Sequence, residues 1–389
     1  MNAELNAGKT TTGIRTASSQ RSSPADAADD LARCLAPETG GLSLVFASSR
    51  FESRALEAGL RGAFGTTAHI GCTTAGEIGP DGYQQGSLTG VFFDAADMDL
   101  EIGLLEDLDH LDARQMAGFA HGLQSRLQAR HPALPRDACF AFMLVDGLCA
   151  REESVARAFH DGLGGIPLSG GSAGDELCFA ETRVIFNGRL VPNAAVLLVA
   201  TTRRPFTVFK TQHFVPTDAR LVVTGAIPEK RIVTEINGCT AAQEYARALG
   251  MAPDQLSPLV FASHPVVVRI GNADFVRSIQ RANADGSLTF FCAIDRGIVF
   301  KVARGEDLLA NLDAALADAV AKVGEPDLIL GCDCILRLLE CRERGITAEV
   351  GERLARSRVV GFSTYGEQYR GMHINQTFTG IAFGAGAAP

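Results

Sequence analysis

Three short apolar runs, Leu42–Ala47, Cys139–Val145 and Leu328–Gly331, punctuate the chain. Each ends in small or polar groups: Ser48-Ser49, Asp146-Gly147 and Cys332-Asp333-Cys334. Runs this short with polar ends predict buried strands. Each is followed by a helical stretch, clearest at Phe51–Phe64, where Phe51, Ala55, Leu56 and Leu60 share a face. A turn then follows: Gly71-Cys-Thr-Thr74-Ala-Gly76-Glu77, Ser169-Gly-Gly-Ser172-Ala-Gly174-Asp175, or Gly361-Phe-Ser-Thr364-Tyr-Gly366-Glu367. A further apolar strand closes each unit, at Leu88–Phe93, Ala194–Val199 and Phe378–Phe383. The order strand, helix, strand-turn, strand therefore occurs three times, and the shared turn is [Gly/Ser]-x-x-[Ser/Thr]-x-Gly-[Asp/Glu]. A repeat of this kind constrains the fold more than any single motif.

Between these units the pattern predicts a helix over Leu111–Ala129, a helix over Glu152–Leu163 and a hairpin over Val184–Val191, with Asn187-Gly188 as its two-residue turn. Leu88–Phe93 and Met98–Leu105 read as an antiparallel pair. The middle of the chain reads as closely spaced antiparallel strands: two within Phe206–Ile227, then Arg231–Ile236, Leu259–Phe261, Val266–Ile270, Phe275–Gln280 and Leu288–Ala293. Helices Ala241–Leu249 and Glu306–Val323 flank them. At the end of the chain, Gly371–Gly380 reads as a strand with His373, Asn375, Thr377 and Thr379 on one face. Residues 1–30 lack an apolar core and read as a disordered leader, leaving a domain at 31–203 and another at 204–389. The expected class is α/β: two domains with mixed, largely antiparallel sheets and flanking helices, built from repeated strand-helix-strand-turn-strand units. It is not a Rossmann fold, because no Gly-x-Gly-x-x-Gly opens a helix after a strand. Gly8-Lys-Thr lacks the upstream glycine of a phosphate loop.

Composition narrows the function. In 389 residues the net charge is −9 and the pI about 5.4. That excludes non-specific nucleic-acid binding, which needs a basic footprint. No apolar run reaches the ~18 residues of a membrane span, and no signal peptide is evident. Ten cysteines in such a chain read as reduced thiols in a cytoplasmic protein.

The turns carry the candidate chemistry. Glu77, Asp175 and Glu367 suit the amino group of a ligand, and Thr74, Ser172 and Thr364 suit its other polar atoms, with Asn375 on the adjoining polar face. The same side chains also suit local bonds that stabilise three similar turns. Cys332 and Cys334, with Cys341 further on, offer thiolates to a metal, although the Cys-x-Cys spacing equally fits buried unligated thiols. Neither a Gly-x-Ser-x-Gly elbow nor a His-Glu-x-x-His motif is present, so the expectation is a non-enzymatic protein.

The signatures Gly71–Glu77 and Gly361–Glu367, the latter with Asn375-Gln-Thr377, resemble those of the FIST family, sensory proteins with a FIST N and a FIST C domain. The resemblance runs from Leu42 to Gly384. It implies an intracellular signal-transduction module that binds a small ligand and reports to a partner. The ending Gly366–Thr377 is similar to the stand-alone members that bind haem b and sense nitric oxide, which implies a histidine kinase or a cyclic-di-GMP enzyme as partner. Haem needs an axial donor; His373, beside the last turn, is the first candidate and His213 the second. The alternatives are a FIST module for a small metabolite such as an amino acid, without haem, and a hydrolase or transferase using a turn hydroxyl.

Overall fold

The computed structural model describes residues 5–7, 13–38, 40–271 and 273–386. Three copies of one unit account for most of the chain. The first runs through strand Ile14–Ser19, helix Pro24–Leu35, strand Leu42–Ser48, helix Ser53–Phe64, strand Ala68–Thr74, hairpin Glu77–Gly79/Gly82–Gln84 and strand Leu88–Phe93. The second repeats this with Met98–Leu105, Ala113–Arg130, Cys139–Val145, Glu152–Leu163, Leu168–Ser172, Val184–Phe186/Arg189–Val191 and Ala195–Thr202. The third uses Phe206–Thr211, Leu308–Val323, Pro326–Cys334, the helix pair Ile335–Glu343 and Thr347–Arg356, Val359–Thr364, Glu367–Tyr369/Met372–Ile374 and Phe378–Gly384. In every unit the strand order is first, last, second, third, and the second and third strands are parallel.

The hairpins tie the units into a ring. The hairpin of the first unit pairs with Val359–Thr364 of the third, that of the third with Leu168–Ser172 of the second, and that of the second with Ala68–Thr74 of the first. No sheet is therefore complete without a neighbour, and a strand edge that would otherwise be open is covered. The inner faces of the three sheets share one core, where Phe46 stacks on Phe362 (4.8 Å between centroids) and Phe383 meets Phe93 (5.6 Å) and Phe140 (5.2 Å). The helices cover the outer faces. Their starts follow from capping: Asp112 forms a capping box with Gln115, and Glu52 and Asp307 accept amides of the first turn.

A separate antiparallel sheet is inserted in the third unit between Thr211 and Leu308. It leaves at Phe214 and returns at Gly305, and the Glu306 amide donates to His213 O (2.7 Å) across the two crossings. Helices Ala241–Leu249 and Pro258–Ser263 pack on this sheet.

The mixed α/β class holds. Several sequence expectations need correction. The leader expected at 1–30 is ordered structure where described. Ile14–Ser19 is the edge strand of the first sheet, paired with Leu88–Phe93, and residues 24–30 begin a helix; residues 1–4 and 8–12 lie outside the described residues. The segment holds by close packing of small side chains: Ala17, Ala27 and Ala28 are fully buried beside Leu31 and Leu35. Leu88–Phe93 and Met98–Leu105 do not pair; they belong to different units and sheets. Leu259–Phe261 is helical, started by Pro258 after the Ser257 cap. Gly371–Gly380 is not one strand. Gln376 takes a positive φ (52°), which breaks the run into Met372–Ile374 and Phe378–Gly384 in two different sheets.

Candidate functional site

The three turns meet where the units join. The Ala75 amide donates to Ser363 O (3.0 Å), the Tyr365 amide to Ser172 O (3.2 Å), and the Gly174 amide to Thr73 O (3.0 Å). This closed ring fixes which residues correspond: Thr73 with Ser172 and Ser363, and Ala75 with Gly174 and Tyr365. The strand register agrees, for Gly71, Gly170 and Gly361 stand opposite Val45, Met143 and Gly331. A Cβ at these glycines would lie 1.8, 2.0 and 1.8 Å from the facing carbonyl oxygens. The motif alignment of the second copy is thus one residue out. Ser172 does not match Thr74, nor Asp175 match Glu77; Ala173 occupies the threonine position.

In the first unit Thr74 Oγ1 donates to Glu77 Oε1, while Glu77 Oε2 accepts from the Ser87 amide (2.9 Å) and hydroxyl (2.8 Å). In the third, Thr364 Oγ1 donates to Glu367 Oε1, and Glu367 Oε2 accepts from the Thr377 amide (3.2 Å) and hydroxyl (2.5 Å). Both carboxyl groups are fully buried. Burial pushes Glu77 up to about 7 and Glu367 up to about 8 against the opposing pull of these hydrogen bonds. The second unit has no such acid. The residue paired like Glu77 and Glu367 at the root of its hairpin is Val184, and the residue placed like Ser87 and Thr377 is Ala194. Ala173, Val184 and Ala194 are all fully buried in the shared core. Thr74, Glu77, Thr364 and Glu367 therefore form sealed clusters that lock hairpin roots.

The second unit differs on its outside as well. Residues 176–183 form an extra loop ahead of its hairpin. Asp175 holds that loop, accepting from the amides of Phe179 (3.0 Å), Ala180 (2.7 Å) and Glu181 (3.0 Å), and from the Tyr365 hydroxyl. Tyr365 Oη in turn accepts from the Leu177 amide (2.7 Å). The loop faces the inserted sheet, and a cleft opens between them. Its apolar chamber of about 390 Å³ lies among Leu177, Phe179, Leu336 and Leu339 on one side and Leu259, Ile279 and Phe291 on the other. A polar chamber of about 190 Å³ adjoins it, sharing Phe179, Gln280 and Phe291 and adding Glu152, Lys230, Arg231 and Tyr365. Phe179 stacks on Tyr365 (5.2 Å) and approaches Phe291 (6.1 Å). Arg231 clamps the inserted sheet to the second unit, donating to Glu152 (2.6 Å), Glu153 (2.8 Å) and Phe291 O (2.8 Å). Sequence reading missed Glu152, Arg231, Phe179 and Phe291. The available signal was the longer spacing between turn and hairpin in the second copy.

The remaining predicted residues lie elsewhere. Ser172 accepts from Gln368 Nε2 (3.0 Å), which also lies 2.9 Å from His373 Nδ1. Asn375 donates to Tyr365 O (3.4 Å). His373 Nε2, Asn375 Oδ1 and Gln368 Oε1 are buried without partners among the described residues. Burial pushes His373 down to about 4, so its ring is neutral at physiological pH. His213 is sealed differently. Its Nε2 meets Glu340 (2.9 Å) and its Nδ1 lies 3.3 Å from Arg337, so neither nitrogen is free for iron. Among the described residues, the walls of this cleft carry no histidine, cysteine or methionine, so haem's usual nitrogen and sulfur donors are missing from it. Cys332 and Cys334 are buried thiols that burial pushes well up. Among the described residues no three His, Cys, Asp or Glu side chains group to hold a metal, so these two thiols lack a third ligand. Also among the described residues, no helix is long and apolar enough to cross a membrane.

No curated protein matches the chain. Among solved structures it is similar to a cyanuric acid hydrolase from A. caulinodans, at 11% identity and TM-score 0.40, over 95% of this chain and 99% of that one. A second cyanuric acid hydrolase gives 12% and 0.35 over 95% and 99%, and a chorismatase 10% and 0.30 over 88% and 92%. The family comparison is decisive. The FIST N domain model matches residues 41–239 and the FIST C domain model residues 241–370. Domains of this kind are associated with sensing small ligands in signalling. The chain belongs to the FIST family.

Proposed function

We propose that the protein is a cytoplasmic, non-enzymatic signal-transduction sensor whose small-molecule ligand occupies the cleft between the second unit and the inserted sheet. The observation that carries this reading is the cleft itself: an apolar chamber opening into a polar one, walled by the second unit's loop with Leu336, Leu339 and Tyr365 of the third unit on one side and by the inserted segment on the other. Ligand sites typically combine apolar walls with a few placed polar groups. A ligand bridging both walls changes how firmly Arg231 holds the inserted sheet against Glu152 and Glu153, and a partner such as a histidine kinase or a cyclic-di-GMP enzyme reads the altered surface. Differential contact with two arrangements is what any such switch requires.

The test is a thermal-shift screen of small metabolites, amino acids included, on the wild type and on Leu259→Glu, which places a charge on the apolar wall. Hits that stabilise only the wild type support the cleft. Hits indifferent to that substitution locate the ligand elsewhere and overturn the reading. Haem-based nitric oxide sensing is the second reading, supported by the unpartnered, neutral Nε2 of His373. A Soret band lost in His373→Ala favours it; a protein colourless after haem titration removes it.

A further inference from the structure

Three aromatic rings and one carboxyl group converge where the two chambers of the cleft join. Phe179, Phe291 and Tyr365 form a continuous wall, with Phe179 5.2 Å from Tyr365 and 6.1 Å from Phe291. Phe179 keeps 40% of its surface exposed, so the wall is open to a ligand. Glu152 reaches the polar chamber from the start of its helix. Its residue is 2% exposed, one oxygen is taken by Arg231 (2.6 Å), and the other has no side-chain partner among the described residues. Arg231 is already shared with Glu153 (2.8 Å), so one guanidinium faces two carboxyl groups, with Lys230 the other cation in the lining of the polar chamber.

Resting on the ligand-sensor reading above, we infer that the cleft selects an amphipathic ammonium ion, whose alkyl or aryl body fills the apolar chamber and whose head sits between the three rings and the Glu152 carboxylate. A cation against aromatic faces gains electrostatic attraction that grows when water is excluded, and the second Glu152 carboxylate oxygen supplies the charge-assisted hydrogen bond. An anionic head would meet Glu152, and of the two cations lining the polar chamber, Arg231 and Lys230, the first is already held by Glu152 and Glu153. Burial and the Glu153 charge push Glu152 up to about 7 despite Arg231. The head thus enters best once Glu152 is ionised, and its binding displaces a proton near neutral pH. The charged or titratable groups around Glu152 are Glu153, Arg231, Lys230 at the rim, Tyr365, and Cys149, whose thiol burial holds protonated; His373 and Arg277 act on the cluster from beyond Glu153 and Arg231.

The test uses three probes of one shape, 4-phenylbutylammonium, 4-phenylbutanol and 4-phenylbutanoate, titrated calorimetrically into the full chain. The ammonium is expected to bind at least about tenfold tighter than the alcohol, the scale of one cation–π contact with a charged hydrogen bond. The anion is expected to bind weakest. Cation affinity should rise between pH 6 and 8 with proton release, while the alcohol stays flat. Glu152→Gln should bring cation and alcohol within about twofold. If that substitution disturbs the Arg231 clamp, Phe179→Leu provides the second measurement, since it keeps an apolar wall and should also lower the cation preference. If alcohol or anion binds as well as the cation, and Leu259→Glu abolishes that binding, the ammonium selection is wrong and the cleft stands as the ligand site. If none of the three probes binds, the ammonium selection is overturned, and the metabolite screen alone then decides the cleft.

Discussion

The first and third units bury a hydrogen-bonded acid at the hairpin root, Thr74–Glu77–Ser87 and Thr364–Glu367–Thr377; the second fills the same place with Ala173, Val184 and Ala194. The three share the ring of turn-to-turn hydrogen bonds, so one backbone arrangement accommodates either solution. The comparison teaches that the carboxyl groups, conspicuous as they are in the sequence, are not required for the turn. It also shows where the second unit diverged. Freed from the acid at its hairpin root, it carries the extra loop 176–183, and that loop forms one wall of the cleft.

The strongest way to break the comparison is to attack what all three units share. A methyl group at Gly71 or Gly361 would lie 1.8 Å from a strand carbonyl oxygen, so two paired strands must separate. Gly71→Ala and Gly361→Ala should each cost about 3 kcal/mol or more, at or above the usual range for overpacking, read by urea denaturation. Near-neutral values would mean that the strand pairing is looser than the register implies.

Next comes the acid itself. Glu77→Ala takes the acceptor from the Ser87 amide and hydroxyl, leaves the Thr74 hydroxyl to Ala47 O (3.3 Å) and opens a void, so it should cost about 2–3 kcal/mol. The triple replacement Thr74→Ala, Glu77→Val, Ser87→Ala copies the second unit and removes the acceptor together with both hydroxyl donors, leaving of its donors the residue-87 amide. It should recover most of that loss, because deleting both partners is far cheaper than orphaning one. A triple variant less stable than Glu77→Ala would show that the units are not interchangeable at this position.

The same pair of proteins sharpens the point through pH. Folded Glu77 keeps its proton up to about pH 7, whereas the unfolded chain releases it near 4.5. Between those values the folded state binds more protons, so stability is full below the unfolded pKa and falls as pH rises, by about 1.4 kcal/mol per pH unit for one group, levelling off above the folded pKa. The triple variant lacks this group. Its stability should decline less steeply from pH 5 to 7, by about that slope. Equal slopes would mean that Glu77 is ionised in the folded protein.

Much of this architecture was legible in the sequence because apolar runs and glycine turns are local signals. The helices Glu152–Leu163 and Ala241–Leu249 have the predicted bounds, and Asn187-Gly188 makes the predicted hairpin turn with both residues at positive φ. What failed was non-local. Ser172-x-x-Asp175 mimics Thr-x-x-Glu in spelling, but the strand register that separates them lies in pairings with Val45, Met143 and Gly331. Val184 and Ala194 say nothing alone; only the hairpin exchange between units places them beside Ala173. The cleft was invisible for the same reason, because its two walls come from segments far apart in the chain. Ile14–Ser19 was missed because, after Ile14, its buried positions are Ala17, Ser18 and Ser19 rather than long apolar side chains.

The smallest effect tests whether the extra loop is held by the third turn. Tyr365 takes the place of Ala75 and Gly174, and its ring reaches across to the second unit, where its hydroxyl donates to Asp175 and accepts from the Leu177 amide. Tyr365→Phe keeps the ring, and with it the contact to Phe179, but removes both bonds. Asp175 retains the amides of Phe179, Ala180 and Glu181, so the loop stays in place and global stability should drop by only about 1 kcal/mol. Locally the Leu177 amide loses its acceptor, and hydrogen exchange over 176–181 should accelerate while the equivalent turns at 75–79 and 365–369 keep their protection. Faster exchange at all three turns would place the hydroxyl in the ring that joins the units. Unchanged exchange at 176–181 would mean that Asp175 alone sets the loop that separates the second unit from the other two.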